Sequence, residues 1–195
     1  MLALLVSRLY GRGSDVVALN EPAAVELRRN LVSALAALAA GAATGTGSSI
    51  GQCVAALLSA CAHGVQCELA VLKAGAGRKA LAKGAVEFSL LTTLPTVEVA
   101  DLAIATSCCH AAVRLLEEYL LLLAAAEESA GTDAGSGPSA MLVWIQLARL
   151  YADLDEEDIL LGIVGRIETT EPAEQRGEGP KASRSLVTQA IDCEF

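Results

Sequence analysis

Apolar residues recur at spacings of three and four along most of this chain, which is the period of an amphipathic helix. The leucines from Leu27 to Leu38 form one such stripe, with Asn20 as a capping residue and Pro22 at the first helical position. The apolar positions from Ile50 to Cys61 form a second stripe, which Gly64 interrupts. The pattern therefore predicts two helices here, the second ending near that glycine.

Pro95 marks the start of the longest predicted helix. A proline is tolerated in the first turn of a helix, because its missing N–H has no partner to lose there. The leucine and valine spacing that follows predicts one continuous helix over Thr96–Glu127. Shorter helical pieces precede it, one reaching Leu72 and one covering Arg78–Leu91.

The remainder of the chain alternates between loops and helices. The stretch Ser129–Pro138 has the Gly, Ser and Pro content of a loop. Ser139 can cap the next helix, which ends at a turn over Asp153–Asp155, and a short helix over Glu156–Arg166 follows. The polar stretch Glu168–Arg184 contains two prolines and indicates another loop before a final helix.

No segment shows the alternating pattern of a strand, so the sequence predicts an all-α fold. A helix pair cannot bury its apolar face alone, so we expect antiparallel helix pairs stacked as a TPR- or HEAT-like helical repeat, a segment of a solenoid. We divide the chain into two regions. Residues 1–95 form an Ala/Gly-rich helical region with a flexible loop at 41–51, and residues 96–195 form a helical-repeat region with loops at 129–138 and 168–182.

Composition indicates a core of small aliphatic side chains and an acidic surface. Hydrophobic residues make up 53% of the chain but aromatic residues only 3%. The net charge is -9, which disfavours nonspecific nucleic-acid binding because that requires Lys and Arg to displace counterions. The densest basic cluster, Arg78, Lys79 and Lys83, is typical of a solvated helix face. We therefore expect no direct contact with nucleic acid.

The cysteines favour a reducing compartment. None of the six lies in a C-x-x-C pair, and free thiols of this kind are typical of the nucleus or cytosol. The N-terminal apolar run is short and lacks the basic start of a signal peptide, so we do not expect secretion. The six positions are Cys53, Cys61, Cys67, Cys108, Cys109 and Cys193.

A small membrane-associated helical protein is one alternative class. No Asp, Glu, Lys or Arg lies between Arg29 and Glu68. However, Gly41–Ser49 has the composition of a turn, and the flanking runs Leu31–Ala40 and Val54–Ala62 are shorter than the roughly 20 residues that span a bilayer. The interruption disfavours a membrane, and we expect none as a partner.

Several stretches invite a chemical role that their spacing does not support. The glycines of Gly45–Gly51 and Gly75–Lys79 lack the order of nucleotide-binding loops. Three consecutive residues, Cys108–His110, point in different directions on a helix and do not make a zinc site. The acidic run Asp153–Asp158 lacks the glycine and the distal acid of a calcium loop, and instead resembles a helix N-cap at Asp155. We predict no catalytic, metal or cofactor site.

The stretch Leu147–Gly162 resembles a recurrent signature of the FAT region, the TPR-like helical scaffold that precedes the kinase domain in phosphatidylinositol-3-kinase-related kinases. His110–Tyr119 and Ala190–Glu194 are similar to neighbouring helices of that region, so the resemblance covers residues 108–195. Its acidic form is most similar to the TRRAP-type pseudokinase branch, while the ATR-like and DNA-dependent-kinase-like branches stay open. The residues that carry the signature are structural: Leu147, Tyr151, Leu154, Glu156, Glu157, Asp158 and Gly162.

This resemblance implies a non-catalytic scaffold segment of a histone acetyltransferase or transcription coactivator complex. Its partners are then other protein subunits, its location is nuclear or cytoplasmic, and it binds no cofactor or small-molecule substrate. The alternative is a FAT-region fragment of an active PIK-related serine/threonine kinase in DNA-damage signalling. Both expect the chain to be part of a larger protein, and neither makes this segment an enzyme, since it contains no kinase domain.

Overall fold

A computed structural model describes residues 20–41, 48–73, 89–130 and 138–170. Every regular element in these ranges is a helix, which confirms the predicted all-α fold. Six helices pack together, and a seventh is a single turn. Their bounds are Pro22–Gly41 for α1, Ser48–Lys73 for α2, Leu90–Thr93 for the single turn α3, Thr96–Ala105 for α4, Cys109–Ala130 for α5, Pro138–Asp153 for α6 and Glu157–Thr170 for α7.

Helix α2 is longer than the apolar pattern predicts. It runs unbroken through Gly64, which is buried, so the predicted interruption there is wrong. It also begins at Ser48, so its first turn includes the end of the stretch 41–51 that the sequence predicts as a loop. A glycine costs a helix interior only about 1 kcal/mol relative to alanine. The packing of α2 against α1, α4 and α5 outweighs that cost.

The helix predicted over Thr96–Glu127 is two helices in the structure. The chain leaves the helical path at Ser107, whose backbone is left-handed with a φ of 55°. The N–H of Ser107 donates to the carbonyl of Ile104 at 3.2 Å, and the N–H of Cys108 donates to the carbonyl of Ala103 at 2.8 Å. These are the two hydrogen bonds of a Schellman motif, which ends a helix. The prediction failed because apolar residues keep a helical spacing on both sides of the turn.

Helices α2 and α5 pack against each other more extensively than any other pair and run in the same direction. Near the N-termini of the two helices, the thiol of Cys108 donates to the carbonyl of Gly51 at 3.1 Å. Further along both helices, the side-chain amide of Gln66 donates to Glu118 at 2.9 Å. Because the two contacts advance along both helices together, α2 and α5 are parallel.

Helix α6 packs against both α4 and α5. Cys109, the first residue of α5, contacts Asp153, the last residue of α6, so α5 and α6 are antiparallel. Near the same end, Arg149 of α6 forms an ion pair with Asp101 of α4 at 2.8 Å. Helix α1 also packs against α4, so α1, α4 and α6 form a row in that order, and α7 packs against α6.

One ion pair lies inside the core. The side chains of Arg28 and Glu68 are fully buried, with 3.8 Å between the Arg28 Nε and the Glu68 Oε1. The other oxygen of Glu68 accepts a hydrogen bond from the Ser89 hydroxyl at 2.7 Å, and Oε1 accepts one from the Leu90 N–H at 2.8 Å. Glu68 therefore joins α1 and α2 to the start of α3.

A single hydrophobic core runs through the described helices. It includes Leu35 of α1, Leu58 of α2, Leu116 of α5 and Leu147 of α6. Residues from the predicted regions 1–95 and 96–195 thus pack together in one core. The division of the whole chain into two regions stays a prediction.

Some predicted features lie outside the described residues. These are most of the helical piece Arg78–Leu91, residues 131–137 of the predicted loop at 129–138, the predicted loop at 168–182 beyond Thr170, and the final helix from Ser183.

Removing the Glu68 carboxylate is expected to destabilise the fold strongly. Glu68→Ala leaves the buried Arg28 guanidinium without its counter-charge, and losing one partner of a buried ion pair costs about 3–5 kcal/mol. The matched control, Glu26→Ala, removes the exposed partner of Arg29 and is expected to cost less than about 1 kcal/mol. Urea unfolding followed by circular dichroism measures both variants. Equal losses of stability would contradict this role of Glu68.

Candidate functional site

The signature residues lie around the junction between α6 and α7. Leu147 and Tyr151 are buried on α6, and Leu154 is half-buried against the core. The other four lie at or after the junction and are exposed: Glu156, Glu157, Asp158 and Gly162. The structure therefore separates the predicted set into a packing group on and just after α6 and an exposed group that begins at the junction and continues on α7.

The junction repeats the turn found between α4 and α5. Asp155 has a left-handed φ of 55°. Its N–H donates to the carbonyl of Ala152 at 3.2 Å, and the N–H of Glu156 donates to the carbonyl of Tyr151 at 3.1 Å. Asp155 therefore ends α6 in a Schellman motif, and the sequence prediction of an N-cap at this residue is wrong. The two carboxylates in the first turn of α7 are favoured by the partial positive charge of a helix N-terminus.

Tyr151 links α6 to α5. Its hydroxyl donates a hydrogen bond to Glu117 at 2.8 Å. Burial, this hydrogen bond and the charges of Glu117 and Glu156 raise the pKa of Tyr151 to about 12, so the hydroxyl stays protonated at neutral pH. The signature tyrosine thus acts as a permanent donor between two helices.

The adjacent cysteines bond in different directions, and His110 beside them is exposed. Cys108 reaches the carbonyl of Gly51, whereas the thiol of Cys109 donates to Asp153 at 3.0 Å. Burial, then the hydrogen bond and charge of Asp153, raise the pKa of Cys109 to about 12, so this thiol is a poor nucleophile at neutral pH. Across the described ranges, no three His, Cys, Asp or Glu side chains gather as metal ligands.

A thiol and an imidazole meet one turn apart on α2. The Sγ of Cys67 lies 3.9 Å from the Nε2 of His63. Burial, then the charge of Glu68, raise the pKa of Cys67 to about 11. An imidazole activates a cysteine by favouring its thiolate, which requires a lowered pKa. This contact therefore does not produce a reactive nucleophile.

Two residues of α6, Trp144 and Arg149, make contacts that the sequence does not predict. The guanidinium of Arg166 on α7 lies 5.2 Å from the centroid of the Trp144 ring, within the range of a cation–π interaction. Arg149, besides its ion pair with Asp101, donates to the side-chain oxygen of Gln146 at 2.8 Å. The first contact and the ion pair join different helices, and no local spacing predicts which helices meet.

The side of α7 opposite its buried isoleucines, Ile163 and Ile167, is uncovered. Leu161 on this side is 71% exposed. A Cβ added at Gly162 or Gly165 would meet no atom within 4 Å. We name this surface the α7 outer face. It consists of Glu157, Asp158, Leu161, Gly162 and Gly165, all of which are exposed.

Among the described helices, one segment, Ile50–Lys73, is long and apolar enough by length and composition to cross a membrane. It belongs to α2, and 61% of its apolar window is buried inside the protein. Packing against α1, α4 and α5 accounts for the same apolar pattern.

Comparison with known proteins adds no relative: the chain matches no protein-family model, no curated protein and no solved structure. The resemblance of Leu147–Gly162 therefore depends on its residues alone.

Alkylation is expected to distinguish the exposed thiol from the buried ones. Cys53 is exposed, whereas Cys61 and Cys109 are buried, and burial raises the pKa of each to about 12. With iodoacetamide at about pH 8, we expect Cys53 to react at least roughly tenfold faster than either, because the thiolate is the reacting form. Peptide mass spectrometry over time measures each site, and Cys53→Ser should remove the fast-labelled peptide. Faster labelling of Cys109 would contradict its contact with Asp153.

Glycine at the two left-handed positions is expected to stabilise the fold. Ser107→Gly and Asp155→Gly each relieve a backbone conformation that is unfavourable for L residues, so we expect a gain of roughly 0.5–1 kcal/mol in each case. The control Ser59→Gly, at an exposed position inside α2, is expected to lose a similar amount. Chemical unfolding measures all three. A loss of stability at either turn would count against the Schellman assignment.

Proposed function

We propose that this chain is a non-catalytic scaffold of tandem helical hairpins, a TPR- or HEAT-like solenoid segment that binds protein subunits of a larger complex. The three hairpins are α1 with α2, α4 with α5, and α6 with α7. One observation carries the proposal: the same left-handed turn joins the two helices in the second and third hairpins.

The second and third hairpins agree beyond their turns. Ser107 and Asp155 lie 48 positions apart, close to the repeat length of about 40–47 residues in HEAT-type arrays. Shifted by this spacing, buried positions of one hairpin coincide with buried positions of the other. The pairs are Val99 with Leu147, Ala100 with Ala148, Leu102 with Leu150, Ala103 with Tyr151, Leu115 with Ile163, and Tyr119 with Ile167.

An ion pair joins equivalent positions of these two hairpins. Asp101 and Arg149 are related by the same shift of 48 residues and are bonded to each other at 2.8 Å. Stacked repeats bring equivalent positions of adjacent units together, because each unit contacts its neighbours. Helix α1 packs against α4, and α2 packs against α5, which extends this arrangement to the first hairpin.

Stacked hairpins present broad surfaces of scattered charge and apolar patches, and such surfaces bind other proteins. The resemblance of Leu147–Gly162 supports a more specific role, that of the FAT region of a TRRAP-type subunit. We therefore propose a place in a nuclear histone acetyltransferase or transcription coactivator complex. The partners are its other protein subunits, and the segment needs no cofactor and has no enzymatic activity of its own.

Co-purification tests this function. A tagged full chain, expressed in eukaryotic cells, is expected to elute in a large nuclear assembly with stoichiometric subunits of an acetyltransferase complex, identified by mass spectrometry. The control Glu68→Ala disturbs the core that positions the hairpins, so it should lose these partners. Elution of the native chain as a free protein of 20.0 kDa would contradict the proposal.

A further inference from the structure

We propose that the α7 outer face is a docking surface for an amphipathic helix of a partner protein whose last turn is basic. The inference rests on the proposed stacking of hairpins and names the kind of partner that the last described hairpin accepts.

Helix α5 is the equivalent of α7 in the preceding hairpin. Helix α6 lies along the stripe Cys109, Val113 and Glu117 of α5, because it contacts the first residue through Asp153 and the last through Tyr151. Val113, between them, is accordingly only 9% exposed. The helix that covers this stripe of α5 is therefore the first helix of the next hairpin.

None of the described helices covers the equivalent stripe of α7 in this way. A shift of 48 residues relates Cys109, Val113 and Glu117 to Glu157, Leu161 and Gly165. Leu161 is 71% exposed where Val113 is buried. Val164 is half-buried where its equivalent Leu116 is fully buried. An apolar position that the preceding hairpin buries is thus left open on α7, at the place where a further helix would lie.

The α7 outer face is shallow beside Leu161. Its neighbours there are Gly162 and Gly165, and within the described part of the chain a Cβ added at either would meet no atom within 4 Å. Helices approach closely where one of them carries small residues, because the partner's side chains then reach the backbone. Leu161 therefore provides an apolar ridge beside a shallow groove that fits the side chains of an incoming helix.

Charge also distinguishes α7 from α5. Cys109 of α5 bonds to an acid in the last turn of α6, whereas α7 has Glu157 at the equivalent position, with Asp158 beside it. Both carboxylates are exposed, and a cation in the last turn of the incoming helix complements their charge. A basic last turn also suits the partial negative charge of a helix C-terminus. The net charge of -9 steers such a partner toward the chain.

Charge disfavours the described helices of this chain as occupants. Only α2 among them has a basic residue in its last turn, Lys73, and α2 is packed within the core. A second copy therefore offers no suitable helix from these ranges.

Two synthetic peptides test the proposal. One has the sequence of α6, residues 138–153, and the other has the same sequence with Asp153→Lys. Both keep the apolar stripe that covers α5, and they differ only in the charge of the last turn. Fluorescence anisotropy with the full chain is expected to show at least roughly tenfold tighter binding of the lysine peptide. Added salt should reduce this difference, because both carboxylates are exposed.

Matched variants of the chain locate the binding surface. Leu161→Glu should weaken binding of the lysine peptide at least roughly tenfold, since it places a charge on the apolar ridge. Leu121→Glu, at another exposed leucine on α5, should leave binding unchanged. Equal affinity for the two peptides, no binding of either, or equal effects of the two variants would each overturn the proposal.

Two further measurements identify rival occupants. Light scattering that shows a dimer in the native chain and a monomer in Leu161→Glu would assign the face to a second copy and overturn the proposal. Lysine-peptide binding that appears only when residues 183–195 are replaced by a Gly/Ser segment would assign it to the chain's own terminus. Failure of co-purification with peptide binding intact would reject the proposed function and keep this surface. Failure of peptide binding alone would reject only the surface.

Discussion

The buried ion pair between Arg28 and Glu68 sets the register on which the other contacts depend. Removing two charges from water costs several kcal/mol for each ion, so a buried pair depends on further hydrogen bonds to offset that cost. Glu68 meets this condition by accepting bonds from Ser89 and Leu90 as well as pairing with Arg28. Burial of Tyr119 on α5, and secondly the charge of Glu68, raise the pKa of the Tyr119 hydroxyl to about 12. A slip of α1 along α2 would leave a buried charge unpaired, so the first two helices have one favourable alignment.

The turn between α4 and α5 transmits that alignment along the chain. Its two adjacent cysteines contact different neighbours, Cys108 the start of α2 through Gly51 and Cys109 the end of α6 through Asp153. A left-handed residue at Ser107 makes this divergence feasible, because it ends one helix and starts the next within three residues. The cost of that conformation is offset by the two hydrogen bonds of the Schellman motif. One short turn therefore positions helices on both sides of it.

The sequence predicts those features that depend on local pattern, and it misses those that depend on a distant partner. The helices over Leu27–Leu38 and after Pro138 follow from apolar spacing and are present. The local pattern predicts a break at Gly64, but packing keeps α2 continuous there. It also predicts one helix through Ser107, where a turn separates α4 from α5. In the sequence, Glu68 only marks the end of a stretch without charged residues. That the nearby Arg28 would pair with it inside the core requires the fold.

Equivalent backbone positions with different side chains distinguish the α7 outer face from the corresponding side of α5 in the proposed array of hairpins. The stripe that accepts α6 on α5 contains a thiol, a valine and a glutamate, whereas on α7 the same positions hold Glu157, Leu161 and Gly165. The apolar position is kept, so a helix is still attracted. The polar positions are changed, so a helix ending in an acid, as α6 does with Asp153, meets a carboxylate instead of a thiol donor. Like charges at close range disfavour such a partner and offset part of what burial of the exposed leucine gains. The exposed leucine of the α7 outer face therefore attracts a helix, and its carboxylates select for one that does not end in an acid.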